Sequence, residues 1–98
     1  MKEISYYRFF KNLSNRSKFS IVMVLSKGPM SVNEIAEMVG EEQSKVSHNL
    51  RSLRACNFVK VKQEGKRRVY SLNQDTVMPI IGMVGEHVKS HCPRRCCK

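Results

Sequence analysis

Apolar residues recur at helical spacing along most of this chain and switch to strict alternation once, near residue 60. Over residues 2–13, Tyr6, Phe10 and Leu13 stand at i, i+4 and i+7 with Phe9 beside them. This predicts a first helix with Lys2, Arg8 and Lys11 facing elsewhere. Asn15 is placed to cap a second helix. Phe19, Ile21, Val22, Met23 and Leu25 make that helix apolar over much of its girth, so it is expected at the centre of the core, stopped by Gly28 and Pro29. Ser31 and Glu34 form a capping-box pattern at the start of a third helix, with Ile35, Ala36, Met38 and Val39 on its buried side. Gly40 ends it tightly, and a short helix, a glycine turn and a further helix make a helix-turn-helix pattern.

The fourth helix is expected over residues 42–56. Val46, Leu50 and Leu53 form its apolar stripe, and at about 100° per residue Ser44, His48, Arg51 and Ala55 fall on the opposite side, flanked by Lys45 and Ser52. The period then drops to two. Val59 and Val61 alternate with Lys60 and Lys62, which predicts a hairpin of residues 58–63 and 67–72 around a tip of Glu64, Gly65 and Lys66. A last helix follows within residues 73–90. Proline fits only the first turn of a helix, so Pro79 sets the start near Thr76 or Val77. Val77, Ile80, Ile81, Val84 and Val88 form its stripe, and Gly82 and Gly85 leave room for another helix. Together with the aromatic first helix this predicts a dimer interface built from Tyr6, Phe10, Ile80, Ile81, Val84 and Val88. The expected fold class is mostly α with a small β-hairpin wing (α+β): a winged helix-turn-helix with five helices. It is read as one domain over residues 1–98, with a dimerisation helix at 73–91 and a basic, cysteine-rich tail at 92–98.

Charge gives this pattern a partner. The net charge is +10, and residues 43–72 carry +7 of it, because eight basic residues there face Glu64 alone. A helix beside a basic hairpin suits double-stranded DNA, the helix for the groove and the hairpin for flanking phosphates. Gln43, Ser44, Lys45, Ser47 and His48 lie in the half of the helix that would point at base edges, while Arg51 and Arg54 are better placed for phosphates. On the wing, Lys62, Lys66, Arg67 and Arg68 suit phosphate or minor-groove contact. A polar helix face is ordinary on any surface, and a charged strand can simply guard an edge against aggregation. The absence of acids after Glu42 on this helix, and the hairpin that follows it, favour DNA. Near the amino end, Lys2, Arg8, Lys11, Arg16 and Lys18 face Glu3 alone, as a solvated helix face or as further phosphate contacts.

Ninety-eight residues are enough for one thin core. No apolar run approaches the roughly 20 residues of a membrane span, and the opening residues are mixed and charged, so a cytoplasmic protein with no membrane partner is expected. No phosphate loop, Ser/His/Asp pattern or paired acids suggest an enzyme. The alternative to a sequence-reading regulator is an architectural DNA-binding protein indifferent to sequence.

The residues 33–36 (Asn-Glu-Ile-Ala), 44–54 (Ser-Lys-Val-Ser-His-Asn-Leu-Arg-Ser-Leu-Arg), Phe58-Val59 and 65–72 (Gly-Lys-Arg-Arg-Val-Tyr-Ser-Leu) resemble the ArsR/SmtB family of winged-helix transcriptional repressors. The resemblance implies a homodimer, joined through its first and fifth helices, that binds a palindromic operator and is released by an inducer, often a metal ion. The family's sensor positions match unevenly. Where one type has a Cys-Val-Cys-like motif, this chain has Ser31, Val32 and Asn33. Where another has ligands on the last helix, it has Gln74, Thr76, His87 and Ser90, of which only His87 is retained. A third type draws cysteines from the end of the fourth helix and from the tail; Cys56 matches one position, Ser52 replaces another, and His91, Cys92, Cys96 and Cys97 could supply the rest. These are soft ligands suited to Zn, Cd, Cu(I) or As(III). Thiol redox sensing and an incidental basic tail are the other readings. Glu41 and Glu42 depart from the family pattern at the start of the reading helix. They suit the helix dipole but would sit near phosphates.

Overall fold

The computed structural model describes residues 3–91. In chain order the elements are α1 (Glu3–Ser14), α2 (Arg16–Leu25), β1 (Met30–Ser31), α3 (Val32–Val39), α4 (Gln43–Ala55), β2 (Val59–Glu64), β3 (Arg67–Leu72) and α5 (Val77–Ser90). The five expected helices and the hairpin are present.

Local chemistry accounts for most of the boundaries. Asn15 caps α2 by accepting the Lys18 amide at 3.0 Å. At α3 the capping box is complete: Ser31 Oγ accepts the Glu34 amide at 3.3 Å, and Glu34 Oε1 accepts the Ser31 amide at 2.8 Å. Gly40 closes α3 at φ 72, in the left-handed region. At the end of α4 the left-handed position falls to Asn57, at φ 60. Its amide donates to the Arg54 carbonyl, and the Phe58 amide donates to the Leu53 carbonyl, both at 2.9 Å. With Cys56 as the C-cap this is a Schellman stop, completed by burial of Phe58 and Leu53 together. The same turn aims the chain into the wing. Asn73 then ties the start of α5 to it: Nδ2 donates to the Asn57 carbonyl at 3.0 Å, while Oδ1 accepts the amides of Asp75 and Thr76.

The core joins Ile21, Val22 and Leu25 of α2 to Ile35 of α3, to Val46, Leu50 and Leu53 of α4, and to Phe58, Val59, Tyr70 and Leu72 around the sheet. As expected, α2 sits at the centre of the core, but Phe19 at 44% and Met23 at 38% exposed face out of it. Met38 is likewise exposed, whereas Asn49, on the buried side of α4, is enclosed. A third strand was not expected. β1 pairs antiparallel with β3, Met30 opposite Tyr70 and Ser31 opposite Val69, which gives the order β1-β3-β2. Two residues are too few to display a period, so only the pairing defines β1.

Glu34 links α3 to the root of the wing. Besides capping its own helix, Oε1 accepts the Arg67 guanidinium at 2.9 Å. The hydrogen bond from the Ser31 amide is the largest influence on the Glu34 carboxyl and, together with the nearby Arg67 charge, holds it below its ordinary value against the opposing effect of desolvation. A lowered folded-state pKa gives stability that is present above the ordinary glutamate range and is lost as pH falls through the lowered value. Glu34→Gln keeps an acceptor for the cap and removes the charge. Urea midpoints of the two proteins should therefore differ most near neutral pH and converge on acidification; a gap that does not change with pH would contradict this.

Candidate nucleic-acid interface

The buried stripe of α4 fixes the direction of its other face. With Val46, Leu50 and Leu53 in the core, Gln43, Ser44, Lys45, Ser47, His48, Arg51 and Arg54 are all exposed. The first half of the helix offers hydroxyls, an amide, an imidazole and one cation; the second half offers two guanidinium groups. Glu42 is the N-cap residue but makes no side-chain cap. Glu41 does more. Its Oε2 accepts the Ser17 hydroxyl at 2.9 Å and pairs with Lys45 Nζ at 3.6 Å, so it bridges α2 to the first turn of α4. Lys45 is therefore held by a carboxylate one turn away. The i,i+4 spacing made that pair readable in the sequence; the Ser17 contact, 24 positions away, was not.

The wing is a regular hairpin. Glu64 lies opposite Arg67, Gln63 opposite Arg68 and Lys62 opposite Val69, with Gly65 at φ 64 in the turn. Gln63 Nε2 donates to the Gly65 carbonyl at 2.9 Å, which steadies the tip. Alternation puts Lys60, Lys62 and Arg67 on one face and Arg68 on the other. Lys62, Lys66 and Arg68 are exposed. Arg67 is placed differently from a simple tip cation, because its guanidinium turns back to Glu34. In residues 43–72, Lys45 and Arg67 are the cations found in ion pairs among the described residues. Arg51, Arg54, Lys60, Lys62, Lys66 and Arg68 are left to meet solvent or a polyanion.

A second exposed surface is apolar. Tyr6 is 72% exposed, Phe10 57%, and Val84 and Val88 47% each, while Ile80 and Ile81 are half-buried. Ser5, Tyr6, Phe9, Phe10 and Ile80 line a groove between α1 and α5. Among the described residues, nothing lies within 4 Å of where a side chain would begin at Gly82 or Gly85, which leaves room there for another helix.

Of the expected metal or redox residues, Cys56 and His91 lie among the described residues. Cys56 is exposed, and its Sγ accepts Asn12 Nδ2 at 3.3 Å. The rings of His87, in the last turn of α5, and of His91, its C-cap, are 5.6 Å apart. Cys92, Cys96 and Cys97 lie outside the described residues. Among the described residues no three His, Cys, Asp or Glu side chains gather to hold an ion. No helix among them is long and apolar enough to cross a membrane.

Comparison with known proteins places this geometry. A family model described as "Bacterial regulatory protein, arsR family" matches residues 15–61, the stretch from the cap of α2 into β2. The chain is 39% identical over 69 residues to the HTH-type transcriptional regulator NmtR of Mycobacterium tuberculosis, covering 70% of this chain and 58% of that protein. The crystal structure of NolR from Sinorhizobium fredii matches with a TM-score of 0.74 at 33% identity, over 84% of this chain and 82% of the other. The homodimeric winged helix-turn-helix DNA-binding domain of Mb0332 from Mycobacterium bovis matches with a TM-score of 0.81 at 26% identity, over 89% and 81% of the two chains. This chain spans between 55% and 64% of the length of several curated relatives, NmtR among them. With its helix order, its wing and these likenesses, the chain belongs to the ArsR family of bacterial regulatory proteins.

Proposed function

We propose that this chain is a dimeric, sequence-specific DNA-binding transcriptional repressor of the cytoplasm. The observation that carries the reading is the α4 face: seven exposed side chains able to donate to base edges or phosphates, fixed by a fully buried stripe behind them and flanked by a basic wing. In this reading the first half of α4 enters the major groove, where Ser44 and His48 meet base edges. Arg51 and Arg54 grip the backbone, and Lys62, Lys66 and Arg68 track the phosphates beside the groove. Arg67 positions the wing through Glu34 rather than reaching DNA directly. Lys45 leaves Glu41 for the duplex, so Glu41 opposes binding wherever no better partner for Lys45 is offered.

The second copy covers the groove between α1 and α5. Tyr6, Phe10, Val84 and Val88 are large apolar side chains left exposed on α1 and α5, as at an unpartnered interface, and a two-fold pair would present two reading helices to the two halves of a palindrome. The homodimeric, DNA-binding description of the Mb0332 domain supports both halves of the reading.

The test separates base reading from phosphate grip. His48→Ala should cost about 1–3 kcal/mol at one or two base pairs of the operator and leave binding to other duplexes nearly unchanged. Arg51→Ala should weaken all duplexes alike and lower the salt slope by about one. Both variants keep the core stripe, so fluorescence anisotropy with a set of single-base operator variants reads the difference. If His48→Ala and Arg51→Ala gave the same uniform loss, α4 would be gripping the backbone and reading nothing.

A further inference from the structure

A cleft of about 410 Å³ opens between α1, the start of α2 and the end of α4, lined by Arg8, Lys11, Asn12, Ser14, Asn15, Lys18 and Cys56. Three of these residues are cations and none is an acid. Arg8 and Lys11 share a face of α1 at i, i+3 spacing, and Lys18 comes from the first turn of α2, so two helices bring like charges to one recess. Like charges held together in a recess repel unless an anion joins them. The recess is also ordered. Asn12 Oδ1 accepts Lys18 Nζ at 3.2 Å and Asn12 Nδ2 donates to Cys56 Sγ at 3.3 Å, which fixes the amide and points the ammonium into place with donors to spare. The amino end of α2, capped by Asn15, adds its own positive end there.

We propose that this cleft is a binding site for a small multivalent oxyanion, a phosphate or a di- or tricarboxylate, held by Arg8, Lys11 and Lys18. Its size lies in the range of small-ligand pockets. Cys56 is the C-cap of α4, about 18 Å along the helix from Ser44, so the occupant lies well away from the groove-facing residues. The Asn12–Cys56 contact joins the site to the end of the reading helix, and an anion that draws on Lys18 and Asn12 bears on how α4 is held. The proposal does not depend on the DNA reading, because the test below needs no duplex to succeed.

Cys56 lines the cleft and reports on it. In the full chain with Cys92, Cys96 and Cys97 changed to Ser, the rate of Cys56 alkylation by the neutral reagent N-ethylmaleimide is measured against inorganic phosphate, pyrophosphate or citrate. The pH is fixed, and sodium chloride holds the ionic strength constant. The expected result is saturable protection, about tenfold at ten times the dissociation constant, as simple occupancy requires, lost in the Arg8→Gln, Lys18→Gln double variant. Protection that chloride reproduces, or that survives in the double variant, would overturn the proposal. So would protection given by duplex DNA and by none of the free oxyanions, which would make the cleft a contact for the DNA backbone.

Discussion

Replacing Phe58 with alanine is expected to lower the free energy of unfolding by about 3–5 kcal/mol, the range for removing a buried aromatic ring. Set against the roughly 5–15 kcal/mol that holds a typical domain together, that is enough to leave much of the chain unfolded at physiological temperature. The size of the effect follows from where the ring sits. Phe58 is 1% exposed and its ring packs at a tilt on Phe9 of α1 at 4.8 Å between centroids, so it ties α1 to the residue that leads into β2. It is also the residue that completes the Schellman stop with Leu53, and its carbonyl accepts the Asn73 amide at 2.9 Å. One residue therefore meets α1 through its ring and ties the end of α4 to the approach to α5 through its backbone. Urea denaturation checks the prediction: the midpoint should fall sharply with little change in slope. A loss below about 1 kcal/mol would mean that the junction collapses around the missing ring and that the wing does not depend on it.

Much of this was legible in the sequence, for identifiable reasons. The α4 stripe and the exposed face behind it follow from 3.6-residue spacing alone, and Val46, Leu50 and Leu53 are each at most 1% exposed. The Ser31 and Glu34 box and the Asn15 cap are local chemistry, decided within four residues, and such features survive into the fold with little tertiary interference. What escaped the sequence is non-local or atypical. β1 exists only because β3 is there to pair with it. Asn57 takes a position that glycine usually fills, so the stop of α4 carried no glycine signal. Arg67 counted as a tip cation until its partner 33 positions away came into view. Phe19 and Met23 are exposed on a helix whose apolar residues cover much of its girth, so periodicity could not say which of them the core would take.

The second large effect is on DNA affinity. The chain presents six cations on α4 and the wing that no carboxylate engages among the described residues: Arg51, Arg54, Lys60, Lys62, Lys66 and Arg68. If half of them touch phosphate in a dimer, the count is about six, and a protein making roughly 6–10 phosphate contacts loses about 10³–10⁵ in affinity between ~50 and ~200 mM salt as condensed counterions return to the duplex. Anisotropy titrations across that range should give a steep, linear log–log plot. A slope near zero would mean that these cations face water in the complex and that the wing guards an edge.

Charge alone would serve a protein that coats any duplex, so salt dependence is not the decisive property. The central claim is that α4 reads sequence, and the most direct test is to titrate the protein against a duplex from its own promoter region and against a shuffled duplex of equal length and composition, at one salt concentration. The side chains on α4 predict that the promoter binds tighter by about 10³-fold or more, the lower end of what specific DNA-binding proteins achieve over non-specific binding. Equal affinity for the two duplexes would contradict the account and leave an architectural protein in its place.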